Sequence, residues 1–338
     1  MSLPESSRFA LTDDLTICRV LNGMWQVSGA HGPIEAQAAI AAMFPYLDAG
    51  FTTWDLADHY GPAEDFIGAF RQRLRTERGE AALAPLQAFT KWVPRPMPMT
   101  RRIVEENIQR SRQRMAVECL DLLQFHWWDY SDRNYLEALR MLTDLKHAGW
   151  IKQIALTNFD TVHTKTILEQ GIPIVSNQVQ FSLIDRRPLK KMVPFCQQQD
   201  IKLLAYGTLC GGLLSEKYVG APEPNRAKLN TASLRKYKNM IDAWGSWELF
   251  QKLLVVLQKI AQKYGVTIPN VAVRYVLEQP MVAGVIVGVR LGVSAHLTEN
   301  AQVFNFSLDT EDYDRLEAVL EKAQDLYRLI GDCGDEYR

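Results

Sequence analysis

The sequence is short of cysteine, of net charge and of long apolar runs, and each shortage excludes a class of protein. Its five cysteines, Cys18, Cys119, Cys196, Cys210 and Cys333, are odd in number and far apart, with no C-x-x-C pair. That argues against a disulfide framework and for a reducing compartment. Formal net charge is -1 over 338 residues, with Lys and Arg spread along the chain, so no field draws in nucleic acid or an anionic membrane. No run of about 18 apolar residues occurs, and the opening stretch to Arg8 lacks the apolar centre of a signal peptide. Also missing are a Gly-x-Gly-x-x-Gly, a Walker loop, a Gly-x-Ser-x-Gly elbow and a His-Glu-x-x-His pair. The expectation is a soluble, cytoplasmic protein without a metal site, acting on a small molecule.

What is present supports a large core, because 47% of the residues are hydrophobic and only 23% are charged. The length suits two average domains or one α/β barrel of about 250 residues with insertions. Patterning decides between them. Apolar, β-branched runs at 18–23, 51–54, 86–92, 119–125, 151–156, 174–179, 201–206 and 282–289 read as strands. Between most of them lie segments of helical spacing, such as Tyr135, Ala138, Leu139, Leu142 and Leu145. Eight strand-helix alternations without a linker or a shift in composition predict one (β/α)8 TIM-barrel domain over 1–338. An N-terminal β-hairpin turning at Asp13-Asp14 and extra C-terminal helices, one over 309–327, complete the expected fold. The stretch 207–245 reads as a long loop after the seventh strand, its basic residues Arg226, Lys228, Arg235, Lys236 and Lys238 reading first as solvated surface and second as a cover over cofactor or substrate, and 331–338 as a loose tail.

Four polar residues fall at the carboxyl ends of three successive strands: Asp55 and Tyr60 after the second, Lys91 on the third and His126 after the fourth. In α/β folds active sites are built at that end, and neighbouring strands lie about 4.8 Å apart, so these side chains can meet. A tyrosine titrates near 10 and becomes a useful acid only if a cation eases formation of its phenolate. Lys91 offers the cation, Asp55 would keep it charged, and an imidazole such as His126 can orient a carbonyl or assist its protonation. Singly, each has an ordinary structural explanation; the set favours chemistry. Trp25, Trp92, Trp127 and Trp128, beside these residues, would line the pocket.

The set resembles the aldo-keto reductase superfamily, in the branch of bacterial general reductases and potassium channel β subunits. The resemblance rests on Trp54-Asp55-Leu56-Ala57-Asp58-His59-Tyr60-Gly61, Thr90-Lys91, 120–126 ending in His126, 156–159, 177–181, 211–218 and Glu299-Asn300. It implies reduction of an aldehyde or ketone by hydride from NADPH, with NADH a second candidate. Tyr60 would be the general acid, tuned by Lys91 and Asp55, and His126 would orient the carbonyl. Thr157, Asn158 and Gln178 would hold the nicotinamide carboxamide, Phe181 would stack on the ring, and Leu209, Gly211, Gly212 and Leu213 would border the pyrophosphate. Gly23, Trp25 and Gly288 would flank the cofactor, with His296, Glu299 and Asn300 near its adenosine and Arg290 paired with a 2′-phosphate. Two rival readings remain: a low-turnover, NADPH-binding regulatory protein, and a barrel aldolase using Lys91 as Schiff-base nucleophile.

Overall fold

The computed structural model describes residues 3–338. Its centre is a closed barrel of eight parallel strands: β3 (Val20–Gly23), β4 (Thr53–Asp55), β5 (Gln87–Trp92), β6 (Leu120–Phe125), β7 (Ile151–Thr157), β8 (Ser176–Gln180), β9 (Lys202–Tyr206) and β10 (Val282–Gly288). β10 pairs back onto β3, with Val285 opposite Val20 and Gly288 opposite Gly23. Every strand therefore has two neighbours, and no sheet edge is left bare. A hairpin of β1 (Arg8–Thr12) and β2 (Leu15–Cys18) precedes the barrel and turns at Asp13-Asp14, as expected. Its Leu11, Leu15 and Ile17 join Leu21, Phe89, Leu122 and Leu204 in one buried cluster that fills the barrel. The other end is left for polar groups.

The outer ring comprises α1 (Ala36–Ala49), α2 (Ala63–Arg78), α3 (Arg101–Met115), α4 (Asn134–His147), α5 (Thr161–Glu169), α6 (Met192–Gln199), α8 (Trp247–Tyr264) and α9 (Ile268–Leu277). Their starts follow local chemistry: the Thr100 hydroxyl accepts from the Ile103 amide and the Asp160 carboxylate from the His163 amide, each satisfying an amide with no partner inside its helix. α4 shows why these helices pack, since Tyr135, Leu136, Ala138, Leu139, Leu142 and Leu145 are its buried face.

Three segments differ from expectation. The stretch 207–245 carries a helix, α7 (Ala232–Trp244), capped by Thr231 and burying Tyr237, Lys238, Met240, Ile241 and Trp244, so Lys238 is not solvated but pairs with Glu223 and Asp242. After α10 (Leu297–Ala301), the single helix expected over 309–327 is two, α11 (Thr310–Leu320) and α12 (Leu326–Ile330). The tail is not loose. Asp332 and Cys333 are buried, and Arg187, itself 2% exposed, pairs with Glu336 at 2.9 Å. Among the described residues, no helix is long and apolar enough to cross a membrane, and no cluster of His, Cys, Asp or Glu could hold a metal.

Candidate active site

Asp55 closes β4, Gln124 lies in β6 and Gln178 in β8, so the three come from alternate strands, the way one layer of a barrel interior is built. This layer is polar. Asp55 Oδ1 accepts from Gln124 Nε2 at 2.9 Å and from Gln178 Nε2 at 2.7 Å, and its Oδ2 receives Lys91 Nζ at 2.6 Å. Lys91, on β5, also donates to the Leu56 carbonyl at 2.9 Å. Both charges are nearly sealed from water, their side chains 4% and 3% exposed. Burial pulls the Lys91 ammonium below its usual value, and Asp55 opposes that pull.

Tyr60 comes from the turn after β4. The Lys91 ammonium stands 5.1 Å from the centre of its ring, and the Trp25 ring packs edge-on at 5.0 Å. Burial, reinforced by the negative charge of Asp55, holds the phenol well above its usual value, so Tyr60 keeps its proton. Burial thus sets the resting state of the phenol, with the Lys91 ammonium beside its ring.

His126 follows β6, and its Nδ1 lies 3.1 Å from the Thr157 carbonyl oxygen. A carbonyl can only accept, so Nδ1 carries the proton and a neutral ring has a bare lone pair at Nε2. That Nε2 is buried without a partner. Burial brings the imidazole down to about 4, so the ring is neutral at ordinary pH. It therefore offers the cavity an acceptor.

These groups face a cavity of about 970 Å³ that runs from His126 and Trp128 across the barrel mouth to His296, Glu299 and Asn300. Gly23, Trp25, Thr157, Asn158, Gln178, Leu209, Gly211, Gly212, Gly288 and Arg290 also line it. Asn158 has left-handed backbone (φ 58°), and its Oδ1 accepts from the Tyr206 hydroxyl at 2.9 Å. Its amide nitrogen is thus left to donate, while Gln178, with its own Nε2 engaged, keeps Oε1 to accept. One donor and one acceptor complement a primary carboxamide. Farther along, residues 230–234 bring the start of α7 to the cavity, where the Thr231 hydroxyl accepts from the Leu234 amide and the positive end of the helix suits a diphosphate. The donor set fits a nicotinamide dinucleotide.

Four expected site residues lie elsewhere. Phe181 and Leu213 are wholly buried and do not reach the cavity. Trp92 and Trp127 belong to the core, where the Trp92 ring is 5.5 Å from Phe125 and Trp127 Nε1 donates to the Asp129 and Asp132 carbonyls. Trp25 and Trp128 do line the cavity, and further aromatic faces come from Tyr206, at the end of β9, from Tyr237 and from Tyr337. Tyr206 was detectable as an aromatic closing the seventh barrel strand; Tyr337 and Lys236 carried no such signal.

A family model described as "Aldo/keto reductase family" matches residues 19–321. The chain belongs to the aldo/keto reductase family. This member of the family is 30% identical to flagellar radial spoke protein 5 of Chlamydomonas reinhardtii, over 66% of its own length and 49% of the relative's, so it spans about half of that protein. The NADH-specific methylglyoxal reductase of Escherichia coli (strain K12) is 23% identical, with 92% of this chain and 97% of the relative covered. Among solved structures, an aldo/keto reductase from Klebsiella pneumoniae in complex with NADP and acetate matches with a TM-score of 0.70. It is 18% identical, with 93% of this chain and 95% of that one covered, a likeness that speaks for the fold.

Proposed function

We propose that the chain is a nicotinamide-dependent carbonyl reductase, with Tyr60 as the general acid for an aldehyde or ketone. The observation that carries this reading is the meeting of a protonated phenol, the buried Lys91–Asp55 pair and the His126 ring beside the carboxamide-complementary Asn158 and Gln178. Bound NADPH or NADH supplies the hydride that the carbonyl carbon receives. Tyr60 delivers the proton to the carbonyl oxygen, and its phenolate then forms next to the Lys91 ammonium, which lowers the cost of that charge. Asp55, fixed by Gln124 and Gln178, keeps Lys91 charged and aimed. His126, with its bare Nε2, accepts from the new alcohol hydroxyl and so steadies the oxygen as it changes from acceptor to donor. The Lys91–Asp55 pair disfavours the aldolase reading, because an ammonium bonded at 2.6 Å to a carboxylate is not a nucleophile.

Arg290 favours NADPH over NADH. Its guanidinium lines the cavity, donates to the His31 carbonyl at 3.2 Å and makes no ion pair among the described residues, which leaves it free for a 2′-phosphate. One relative is NADH-specific and one solved relative is a complex with NADP, so both cofactors belong in the assay. General acid catalysis contributes about 10²–10⁴ in rate. Tyr60→Phe is therefore expected to lower kcat against an aromatic aldehyde by about that factor while the Kd for NADPH, read by fluorescence, stays within a few-fold. Turnover equal to the parent's would refute the assignment of the acid.

A further inference from the structure

We propose that Lys236 anchors an anionic group of the substrate, so that the site takes carbonyl compounds bearing a carboxylate or a phosphate. The inference rests on the reductase reading for what happens to the carbonyl, and on separate observations for the anion.

The basic side chains along the cavity are accounted for unequally. Lys91 is paired with Asp55 at 2.6 Å, and His296 meets Glu299 at 3.0 Å. Arg290 belongs to the adenosine end. Lys236, on the cavity face of α7, has no ion pair among the described residues, and of its two sequence readings, solvated surface or a cover over cofactor or substrate, the cavity wall matches the second. Its ammonium donates to the Tyr337 hydroxyl at 2.5 Å and stands 4.5, 5.2 and 5.5 Å from the ring centres of Tyr337, Tyr206 and Tyr237.

Three tyrosine faces attract a cation but supply no counter-charge. Glu336 reaches the group only indirectly: its Oε1 lies 3.2 Å from the Tyr206 hydroxyl, and its Oε2 is held by buried Arg187 at 2.9 Å. An ammonium has three donors, and this one spends a single donor on protein. A half-buried charge with free donors gains most from an oxyanion, more so as a ligand drives out water.

Position assigns the anion to the substrate. The Tyr337 ring that carries Lys236 lies 6.2 Å from the His126 ring and 6.4 Å from Trp128, at the catalytic end. The start of α7 points the other way, where Ser233 meets His31 at 2.9 Å in the region of Arg290, and that end suits the cofactor's diphosphate. One helix thus separates the two anions by about one turn.

The test compares 4-carboxybenzaldehyde with its methyl ester, which share a carbonyl and differ in charge. The parent protein should prefer the carboxylate in kcat/KM, and Lys236→Met should reduce that preference about 10- to 100-fold, mainly through KM. An unchanged preference with a matching rise in the Kd for NADPH would instead give Lys236 to the cofactor's diphosphate and overturn the proposal. Calorimetric titration of benzoate and methyl benzoate, with oxidised cofactor present, reads the anion without turnover. Benzoate binding that depends on Lys236, in a protein that reduces neither aldehyde, would refute the reductase reading and uphold this one. Equal binding of benzoate and methyl benzoate to the parent would overturn it whatever the turnover.

Discussion

Asp55 is the most heavily committed side chain of the site, with Gln124 and Gln178 on one oxygen and Lys91 on the other. Removing its charge leaves the Lys91 ammonium buried and uncompensated, which typically costs about 3–5 kcal/mol. Asp55→Asn should therefore destabilise the protein by roughly that amount in urea unfolding. Adding Lys91→Met to that variant should restore part of the loss, since no charge then remains buried. A double variant no more stable than Asp55→Asn would show that the pair is not a coupled unit. The sequence made Asp55, Lys91, Tyr60 and His126 legible because each sits next to a strand end. It left the state of the last two unread: Tyr60 is protonated through burial, and His126 is an acceptor because the Thr157 carbonyl takes the Nδ1 proton.

At the level of elements, α7 and Tyr337 of the C-terminal segment 331–338 form a wall of the cavity that strand-helix alternation did not anticipate. α7 had a local signal, with Thr231 as cap and Tyr237, Met240, Ile241 and Trp244 at helical spacing, but the glycines and prolines before it obscured that signal. The C-terminal segment had none, because it is held by distant partners. Arg338 donates to the Asn158 and Trp127 carbonyls at 2.8 and 3.0 Å, and its guanidinium lies 3.9 Å from the centre of the Tyr130 ring. Gly334, with φ 85°, makes this approach feasible, since a Cβ there would fall 2.0 Å from the Asn158 carbonyl oxygen. Gly334→Ala should displace the segment and, through Asn158, weaken NADPH binding about tenfold, the equivalent of about 1.4 kcal/mol. Limited proteolysis should cut the variant near residue 334 faster than the parent. Unaltered cleavage and Kd would mean that the segment does not support Asn158.

For the whole molecule, barrel closure turns a periodic sequence into a site: Asp55, Gln124 and Gln178 are more than fifty residues apart and touch only because β4, β6 and β8 curve around one axis. Closure also buries His126 to 2% exposure and so links the site to the acid stability of the fold. Its imidazole titrates near 6.5 in an unfolded chain and at about 4 in the folded protein. Above pH 6.5 the ring is neutral in both states and the linkage costs nothing. Between 6.5 and 4 the unfolded chain binds the proton first, so stability falls with pH, by up to about 3 kcal/mol from this residue. Below 4 both states are protonated and the loss stops growing. Urea unfolding of the parent and of His126→Gln across pH 4–7 isolates this contribution, because every other titrating group is shared. The free-energy difference between the two proteins should shift in favour of the variant as pH falls through that window. A difference that stays constant from pH 7 to 4 would mean that His126 titrates alike in the folded and unfolded chain, and that the site does not hold it neutral.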